Sequence, residues 1–323
     1  MPRVSVVIPT YNRVDVLPRA IESVLSQSES DLELLIVDDG STDDTQEFLS
    51  SYEDPRVRSV VHGTNRGANV ARNTGIQEAT GTYIAFLDSD DEWHPRKLER
   101  QLGVLESRSE EWVAAYCDYD IRVAGTGGRV EMLGARVLAR GKPSSPQEGG
   151  EELMGAILAD DVQPGAGSTL LVRTDIARKI GGFDESLDRF QDPEFVLRIL
   201  REGNVAYVDE PLVTRYDTGS PDPGIVEHAD EQYLEIYADQ IDYLEDHGYD
   251  IRGSHKLVLA KAHLADGRFA SGMIHLRDAS VAPRHYPGLV WAAGGGARRR
   301  PNSVLGFCVL LTIVVFAWIA LGS

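Results

Sequence analysis

The sequence predicts an α/β protein with a mostly parallel sheet flanked by helices. Three short apolar runs, residues 4–8, 32–37 and 83–87, have the length and composition of buried strands. Between the first two runs, the apolar residues of segment 14–25 recur at the spacing of an amphipathic helix. Strands that alternate with helices indicate a parallel sheet whose functional loops lie along one edge.

Acidic residues follow two of these predicted strands. Asp38 and Asp39 follow the second run, and Asp88, Asp90 and Asp91 follow the third. Open α/β sheets bind ligands just beyond the carboxyl ends of their strands. Crowded carboxylates repel one another unless a cation lies between them, and their oxygens suit Mg²⁺ or Mn²⁺. Either cluster alone is compatible with an acidic surface turn, but their coincidence favours a metal site.

Composition excludes one class of partner and suggests a setting. The chain has 323 residues and a net charge of −19, which argues against a nucleic-acid partner because backbone binding needs clustered Lys and Arg. Lysine is scarce and the surface is acidic, so we expect a halophile; an acidic mesophilic protein is the alternative. Cys117 and Cys308 lie in unrelated segments and are read as small apolar residues without a disulfide.

The C-terminal part predicts a membrane anchor. Residues 304–321 form an uncharged apolar run about long enough to cross a bilayer as a helix, and Arg298–Arg300 precede it. Positive charge marks the cytoplasmic side, so we expect a single-pass transmembrane helix at 303–322 and a catalytic domain in the cytoplasm at the cell membrane. A buried C-terminal helix is the alternative. Residues 221–296 have helical patterns and predict a cytoplasmic helical appendage.

Four blocks of sequence resemble the inverting family 2 glycosyltransferases. They are VSVVIPTYNR (4–13), LIVDDGST (35–42), NRGANVARNTG (65–75) and FLDSDDEW (86–93). Order and spacing are intact, and the resemblance covers roughly residues 1–220. It implies a Rossmann-like catalytic domain of the GT-A type over that range, a nucleotide-diphospho-sugar donor, and a divalent metal ion, Mn²⁺ or Mg²⁺.

The resemblance also assigns the residues of a nucleotide site. It implies that Asp39 accepts a hydrogen bond from the pyrimidine edge and that Arg72 contacts the nucleotide. A salt bridge from Arg72 to one of the aspartates is the structural alternative for that residue. The complete expected set of nucleotide-binding residues is Pro9, Thr10, Tyr11, Asp39, Arg72 and Asp88.

The same resemblance assigns the metal ligand and the catalytic base. Asp90 is expected to bind the metal ion, and Asp91 to cap the next helix. In the block FQDPEF (190–195), Asp192 holds the position of the base, and Gln191 replaces the glutamate usual in related enzymes. Glu194 is the rival for the role of base, and a helix N-cap is the structural alternative for Asp192.

One departure from the family pattern leaves the third metal ligand open. Related enzymes often carry a histidine after the last strand of the domain, whereas segment 211–220 has none. Asp217 or His228 are the candidates to replace it, and Arg215 is a candidate to contact phosphate.

The hypothesis that follows is a metal-dependent inverting glycosyltransferase. It transfers a sugar from a nucleotide donor, expected to be a UDP-sugar, to a lipid-linked glycan on dolichyl or polyprenyl phosphate. Protein N-glycosylation or surface glycan assembly is the expected setting. Two alternatives stay open: a polyprenyl- or dolichyl-phosphate hexose synthase, and a non-catalytic scaffold that binds nucleotide sugars.

Overall fold

A computed structural model describes residues 1–123, 145–217 and 221–299, together with Cys308 and Thr312. These residues fall into two compact units. The described part of the first unit comprises residues 1–123, 147–151 and 164–217, and that of the second comprises 145–146, 152–163 and 221–299. The second unit also contains segment 152–163, which precedes the domain boundary expected near residue 220.

The first unit is built on one sheet of eight strands. In chain order they are β1 (Val4–Thr10), β2 (Leu32–Asp38), β3 (Val57–Val61), β4 (Tyr83–Phe86), β5 (Glu92–Trp93), β6 (Trp112–Val123), β7 (Leu171–Arg173) and β8 (Asn204–Asp217). Every residue of β1 is buried, which is the condition of a central parallel strand covered by helices on both faces. Its run of Val and Ile supplies the apolar surface for that burial.

The sheet is mixed, and this corrects the expectation of a mostly parallel one. The strand order is β3-β2-β1-β4-β7-β6-β8-β5. The first four strands in that order are mutually parallel, as the helix-linked apolar runs predict. Strand β7 is antiparallel to both of its neighbours, and β5 is antiparallel to β8. These strands are short or follow long connections, so no periodic pattern revealed their direction.

Helices cover the sheet of the first unit. They are α1 (Leu17–Leu25), α2 (Thr45–Ser50), α3 (Ala68–Glu78), α4 (Lys97–Glu106), α6 (Thr174–Lys179) and α7 (Gln191–Ile199); α5 (Glu151–Leu158) lies mainly in the second unit. Helix α1 buries Leu17, Ile21 and Val24, three of the residues whose spacing predicted it, and also Ala20. Helix α3 packs its Gly75 directly against Val7 of β1, so that the helix backbone approaches the sheet closely.

The second unit is helical, as the patterns of segment 221–296 predicted. Its helices are α8 (Pro223–Ile236), α9 (Ala238–Asp246), α10 (Ile251–Asp266), α11 (Phe269–Arg277) and α12 (Tyr286–Arg299), with a 3₁₀ turn at Pro283–His285. A buried ion pair links Asp230 to His255 at 2.5 Å, and the other ring nitrogen of His255 lies 2.9 Å from the carbonyl oxygen of Leu158. Burial lowers the pKa of His255, but the hydrogen bond and charge of Asp230 outweigh it and raise that pKa.

The predicted membrane segment 303–322 lies outside the described residues, apart from Cys308 and Thr312. Among the residues that the structure describes, no helix combines the length and apolar character needed to cross a bilayer. The anchor and the cytoplasmic location of the catalytic unit therefore stay predictions.

Two helical glycines give a matched test of the packing of α3. A Cβ at Gly75 would overlap the γ-carbons of Val7, whereas a Cβ at Gly103 of α4 would meet nothing within 4 Å. We expect Gly75→Ala to lower the free energy of unfolding by about 1–3 kcal/mol through overpacking. Gly103→Ala should raise it by about 0.5–1 kcal/mol through helix propensity. Urea denaturation of both variants measures the two changes, and equal shifts would contradict this account of the contact.

Candidate active site

The candidate site lies at the carboxyl ends of the parallel strands. Strand β1 ends at Thr10, β2 at Asp38, and β4 just before Asp88, and the pairing register sets Thr10 beside Asp38. The sequence predicted this convergence from the acidic ends of the strands, and parallel topology produces it.

Asp39 is fixed by the backbone of the following block. One carboxylate oxygen accepts hydrogen bonds from the N–H groups of Arg66 and Gly67 at 2.9 and 2.7 Å. The other oxygen lies 2.7 Å from Nδ1 of His62, whose Nε2 lies 3.0 Å from the hydroxyl of Thr74. Sequence reasoning missed His62. Its place one residue after β3, at the same edge as the acidic ends, was the available signal.

The first loop of the site is tied to the loop after β2. The side-chain oxygen of Asn12 accepts a hydrogen bond from the N–H of Thr42, and the N–H of Asn12 donates to the hydroxyl oxygen of Ser41. Asn12 itself has a φ of 52°, in the left-handed region that asparagine tolerates. Asp38 accepts from both the N–H and the hydroxyl of Ser41, which makes it a residue that supports the loop. These contacts hold the segment that begins at Pro9.

The expected base pocket combines buried and accessible atoms. Pro9 and Thr10 are buried, whereas Tyr11 is 41% exposed. The hydroxyl of Thr10 is buried and has no hydrogen-bond partner among the described residues. A buried polar atom without a partner is costly, so this hydroxyl is available to a ligand.

Arg72 and Asp88 form a salt bridge. Their nearest N–O distance is 2.6 Å, and the guanidinium also donates to Asn69 at 3.1 Å. The expected structural alternative for Arg72 is therefore present, and its nucleotide role stays a prediction. A Cβ at Gly167 would lie 2.9 Å from a carboxylate oxygen of Asp88, so the chain passes close over this pair. Burial raises the pKa of Asp88, but the charges of Arg72 and Arg215 outweigh it and lower that pKa.

Asp91 is a structural residue, and the expectation that it caps the next helix is wrong. Its oxygens accept from the hydroxyl of Ser168 at 2.6 Å and the N–H of Tyr216 at 3.3 Å. Helix α4 begins only at Lys97. Burial, helped by the charge of Asp88, raises the pKa of Asp91 to about 7. The short strand β5 lies between the acidic block and α4 and pairs with β8. The sequence around Asp91 carried no pattern that predicted this strand.

Asp90 is the carboxylate that fits a metal ion. It is half-buried, and its carboxylate lies 3.9 Å from a guanidinium nitrogen of Arg13. Its backbone carbonyl accepts from Arg19 at 2.6 Å, and no described group donates a hydrogen bond to its carboxylate. Asp88 and Asp91 are by contrast engaged by protein groups. Among the described residues, the carboxylate oxygens of Asp88, Asp90 and Asp91 do not all lie within 4.8 Å of one another, as the ligand atoms of one metal ion would. Mg²⁺-type ions commonly use one or two carboxylates together with substrate phosphates, and this donor set fits that arrangement.

Asp192 lies in the first turn of α7, with Phe190 as the N-cap residue. The N-cap alternative for Asp192 is therefore wrong. Its Oδ1 is buried and has no hydrogen-bond partner among the described residues. Burial raises the pKa of Asp192, and the charge of Asp88 adds to this, whereas Arg72, Arg215 and the Gly167 N–H act in the opposite direction. A raised pKa and a bare buried oxygen are the properties of a general base.

The rival base Glu194 has a structural partner. It is buried, and both of its oxygens accept from the guanidinium of Arg198 at 2.6 and 2.7 Å, one turn along α7.

Phe190 adopts φ of 58°, a left-handed conformation that costs a non-glycine residue about 1–3 kcal/mol. Strained backbone of this kind clusters at functional sites, and here it lies two residues before Asp192.

Arg215 of β8 belongs to this charge cluster. Burial acts to lower its pKa, but Tyr119, Asp91, Asp88 and Asp192 together raise that pKa. Its guanidinium lies over the Tyr119 ring at 5.1 Å. The side chain of Asp217 lies outside the described residues, and His228 is exposed on α8 of the second unit. The third metal ligand therefore stays open.

Helix α3 clamps the loop that leads to Asp192. The side-chain amide of Asn73 donates to the carbonyl oxygen of Phe183 and to Glu185, and its oxygen accepts from the Phe183 N–H at 2.7 Å. Asn69 donates to the carbonyl oxygens of Asp184 and Leu187. The Phe183 ring stacks on Phe195 at 4.1 Å between centroids. The block NVARN thus holds Arg72 and positions the loop before the base.

This arrangement is an α/β fold of the GT-A type, and comparison with known proteins shows which families it resembles. The model of glycosyl transferase family 2 matches residues 5–155. This N-terminal segment therefore resembles the glycosyltransferases of family 2.

Several relatives share this unit. The putative teichuronic acid biosynthesis glycosyltransferase TuaG of Bacillus subtilis is 48% identical over 110 residues, which cover 33% of this chain and 44% of that protein. An uncharacterized glycosyltransferase of Rickettsia typhi is 30% identical over 214 residues, 66% of this chain and 63% of that protein. The chain thus spans less than two thirds of the length of these relatives.

Solved structures share the fold. The crystal structure of S. aureus TarS 1-349 is 16% identical, with a TM-score of 0.54, covering 94% of this chain and 93% of that chain. The same protein is also solved with UDP and with UDP-GlcNAc. The mannosyltransferase PcManGT from Pyrobaculum calidifontis, in complex with GDP-Man and Mn²⁺, is 17% identical with a TM-score of 0.54, covering 98% of this chain and 87% of that chain.

The amide clamp can be tested with two neighbouring variants. Asn73→Ala leaves the buried N–H and C=O of Phe183 without their partner, which should lower the free energy of unfolding by about 2–3 kcal/mol. Glu185→Gln keeps an acceptor oxygen for the same amide at an exposed position and should change it by less than about 0.5 kcal/mol. Denaturant unfolding measures both. A stability loss for Asn73→Ala no larger than that for Glu185→Gln would rule out the clamp.

Proposed function

We propose that this protein is a metal-dependent, inverting glycosyltransferase that uses a nucleotide-diphospho-sugar. The observation that carries the proposal is Asp192: a carboxyl with a raised pKa and a bare buried oxygen, in one charge cluster with Arg72, Asp88 and Arg215. A base and several cations beside it are the groups that displacement of a diphosphate requires.

The reaction balances with these groups. Asp192 removes the proton of an acceptor hydroxyl as the acceptor oxygen bonds to the anomeric carbon of the donor. The bond between that carbon and the diphosphate oxygen breaks on the opposite face, so the configuration inverts and the nucleoside diphosphate leaves with the electron pair. Arg72 and Arg215 bear positive charge that can offset the growing charge on the leaving group.

Asp90 would hold a divalent metal ion together with the diphosphate oxygens of the donor. When bound, the ion supplies charge neutralisation for the leaving group. The Mn²⁺ of the PcManGT complex supports this assignment by analogy of fold. Thr10, Tyr11 and Asp39 would then hold the nucleoside, because they surround the strand ends where nucleotides bind in open sheets.

A UDP-sugar is the proposed donor, and a lipid-linked glycan on dolichyl or polyprenyl phosphate is the proposed acceptor. TarS is solved with UDP and UDP-GlcNAc, which supports a uridine nucleotide, whereas PcManGT holds GDP-Man. The apolar segment 304–321 supports a lipid-linked acceptor, since an anchor keeps the active site near the bilayer. Membrane attachment with a cytoplasmic active site, a halophilic source, and a role in protein N-glycosylation or surface glycan assembly belong to the same proposal.

The role of Asp192 can be separated from donor binding. Asp192→Asn keeps the shape of the side chain but removes its basicity, so kcat should fall by about 10²–10⁴-fold. The dissociation constant of the UDP-sugar, measured by calorimetry, should change by less than threefold. Retained turnover would remove Asp192 from the role of base, and lost donor binding would make it a structural residue.

The charge of Arg215 sets the pH range of the base. The raised pKa of Asp192 predicts that kcat/KM rises with pH through a midpoint above 3.8, as the carboxyl ionises. Arg215 lowers this pKa, so Arg215→Met should move the midpoint to higher pH. Arg96→Met, at an exposed position paired with Glu99, should leave the midpoint in place. Initial rates across pH measure it, and a shift to lower pH would contradict the assigned role.

Asp90 and Asp91 are adjacent residues with different predicted roles. Asp90→Asn removes the expected metal ligand, and the Mn²⁺ concentration for half-maximal activity should rise at least tenfold. In Asp91→Asn the amide oxygen can still accept from the Tyr216 N–H, and the amide N–H can donate to the Ser168 hydroxyl in place of accepting from it. This variant should change that concentration by less than threefold. A Mn²⁺ titration of activity compares them, and the reverse pattern would exchange the two assignments.

The acceptor is tested by transfer from labelled nucleotide sugars to a membrane lipid extract, with Asp192→Asn as the inactive control. Elongation of a lipid-linked glycan would support the proposed acceptor, and label on bare lipid phosphate would support a polyprenyl-phosphate hexose synthase. Tight donor binding without transfer to any lipid would support the scaffold alternative.

A further inference from the structure

Three helices of the second unit bring Glu227, His263 and His275 together. Glu227 lies on α8, His263 on α10 and His275 on α11. Nε2 of each histidine lies 2.9 Å from Oε1 of Glu227. The three ligand atoms lie within 4.8 Å of one another, and among the described residues this is the one group of its kind.

Burial and orientation distinguish this cluster from a chance surface contact. His263 is 4% exposed, and the side chain of His275 is 17% exposed. The two rings stack with centroids 5.1 Å apart and planes 21° apart, so both Nε2 atoms point toward the same carboxylate. Nothing in the proposed sugar transfer uses these residues.

The spacing of the ligand atoms suits a tetrahedral metal ion. Zinc–nitrogen and zinc–oxygen bonds of about 2.0–2.2 Å place neighbouring tetrahedral ligands about 3.3 Å apart. The two distances of 2.9 Å between Glu227 and the histidines need to open by only a few tenths of an ångström. Two histidines and one glutamate form a ligand set that zinc uses in proteins, with a fourth position for water.

We propose that Glu227, His263 and His275 bind a transition-metal dication of the zinc class. Imidazole ligands select zinc, cobalt, nickel or copper over Mg²⁺, so this site is chemically distinct from the oxygen-rich site at Asp90. His263 and His275 follow Glu227 by 36 and 48 residues along the chain, and a bound ion would cross-link the three helices that carry them. Binding to the folded state alone raises its stability by mass action.

The outer contacts of His263 bear on affinity. A ligating histidine usually donates its second ring N–H to an acceptor, and loss of such a partner costs 10–100-fold in affinity. Nδ1 of His263 is buried without a hydrogen-bond partner among the described residues. We therefore expect weaker binding than at a closed structural zinc site with complete outer contacts.

The competing explanation is a hydrogen-bonded cluster that needs no metal ion. Burial raises the pKa of Glu227, but hydrogen bonds from His263 and His275 outweigh it and lower that pKa. A carboxylate stabilised by two imidazole N–H groups is self-consistent, so the test must detect the metal itself.

The test is a Co²⁺ titration of the full-length, chelator-treated protein, followed by visible absorption. Excess Mg²⁺ is present throughout to occupy oxygen-rich sites. We expect the intense bands of tetrahedral Co²⁺ with one equivalent bound, bleached by one equivalent of Zn²⁺. His275→Ala and Glu227→Gln should weaken binding at least tenfold; Glu227→Gln retains a hydrogen-bond acceptor and guards against misfolding. His247→Ala, an exposed histidine on the same unit, should bind as the wild type does.

Thermal unfolding provides a second readout. Zn²⁺ should raise the melting temperature of the wild type and of His247→Ala, but not that of His275→Ala. Circular dichroism of each variant reports whether it is folded. Absence of tetrahedral bands in the folded wild type, or equal Co²⁺ affinity in wild type, His275→Ala and Glu227→Gln, would overturn the proposal.

Discussion

The site depends on a balance of charge at one edge of the sheet. Asp88, Asp91 and Asp192 are crowded among buried groups, where an unpaired charge is costly. Arg72 and Arg215 make this crowding tolerable, because their charges lower the pKa values of Asp88 and oppose the rise at Asp192. The balance is uneven: Asp88 has a direct partner at 2.6 Å, whereas Asp192 keeps a bare oxygen. That unevenness leaves Asp192 with a buried oxygen that no described group contacts, whereas Asp88 is already paired.

Helix α3 connects this charge balance to the rest of the first unit. One face of the helix packs on β1 through Gly75, and another carries Asn69, Arg72 and Asn73. These three side chains reach the strand ends and the loop before α7. Small errors in the position of α3 would therefore displace Arg72 and Asp192 together, which couples packing of the core to the geometry of the site.

The second unit solves a different physical problem. Its helices are short, and a bundle of short helices gains stability chiefly from packing and from contacts between helices. Polar contacts, buried between Asp230 and His255 and partly buried between Glu227 and two histidines, fix which helices meet. Such pairs are costly unless satisfied, so they select one arrangement among many that would bury similar apolar area.

The amino-acid sequence by itself determined the strands β1, β2 and β4, the helix α1 and the edge at which acidic residues meet. It could do so because the periodicity of burial is local, and because parallel strands must end on a common edge. The four motif blocks also gave the resemblance to family 2 glycosyltransferases, whose family model matches residues 5–155. The same local reading predicted the helical character of segment 221–296.

Only the tertiary structure decided which of the acidic residues are already engaged. Asp91 is occupied by Ser168 and Tyr216, residues 77 and 125 positions away, and Glu194 is neutralised by Arg198. His62 joins the site because β3 pairs with β2, and Arg215 because β8 pairs with β6. Contacts between distant segments likewise determine the direction of β7, the burial of Asp192, and the contact of Glu227 with two histidines. Such contacts leave no periodic signal in the sequence, because pairing partners and burial are set by the whole fold.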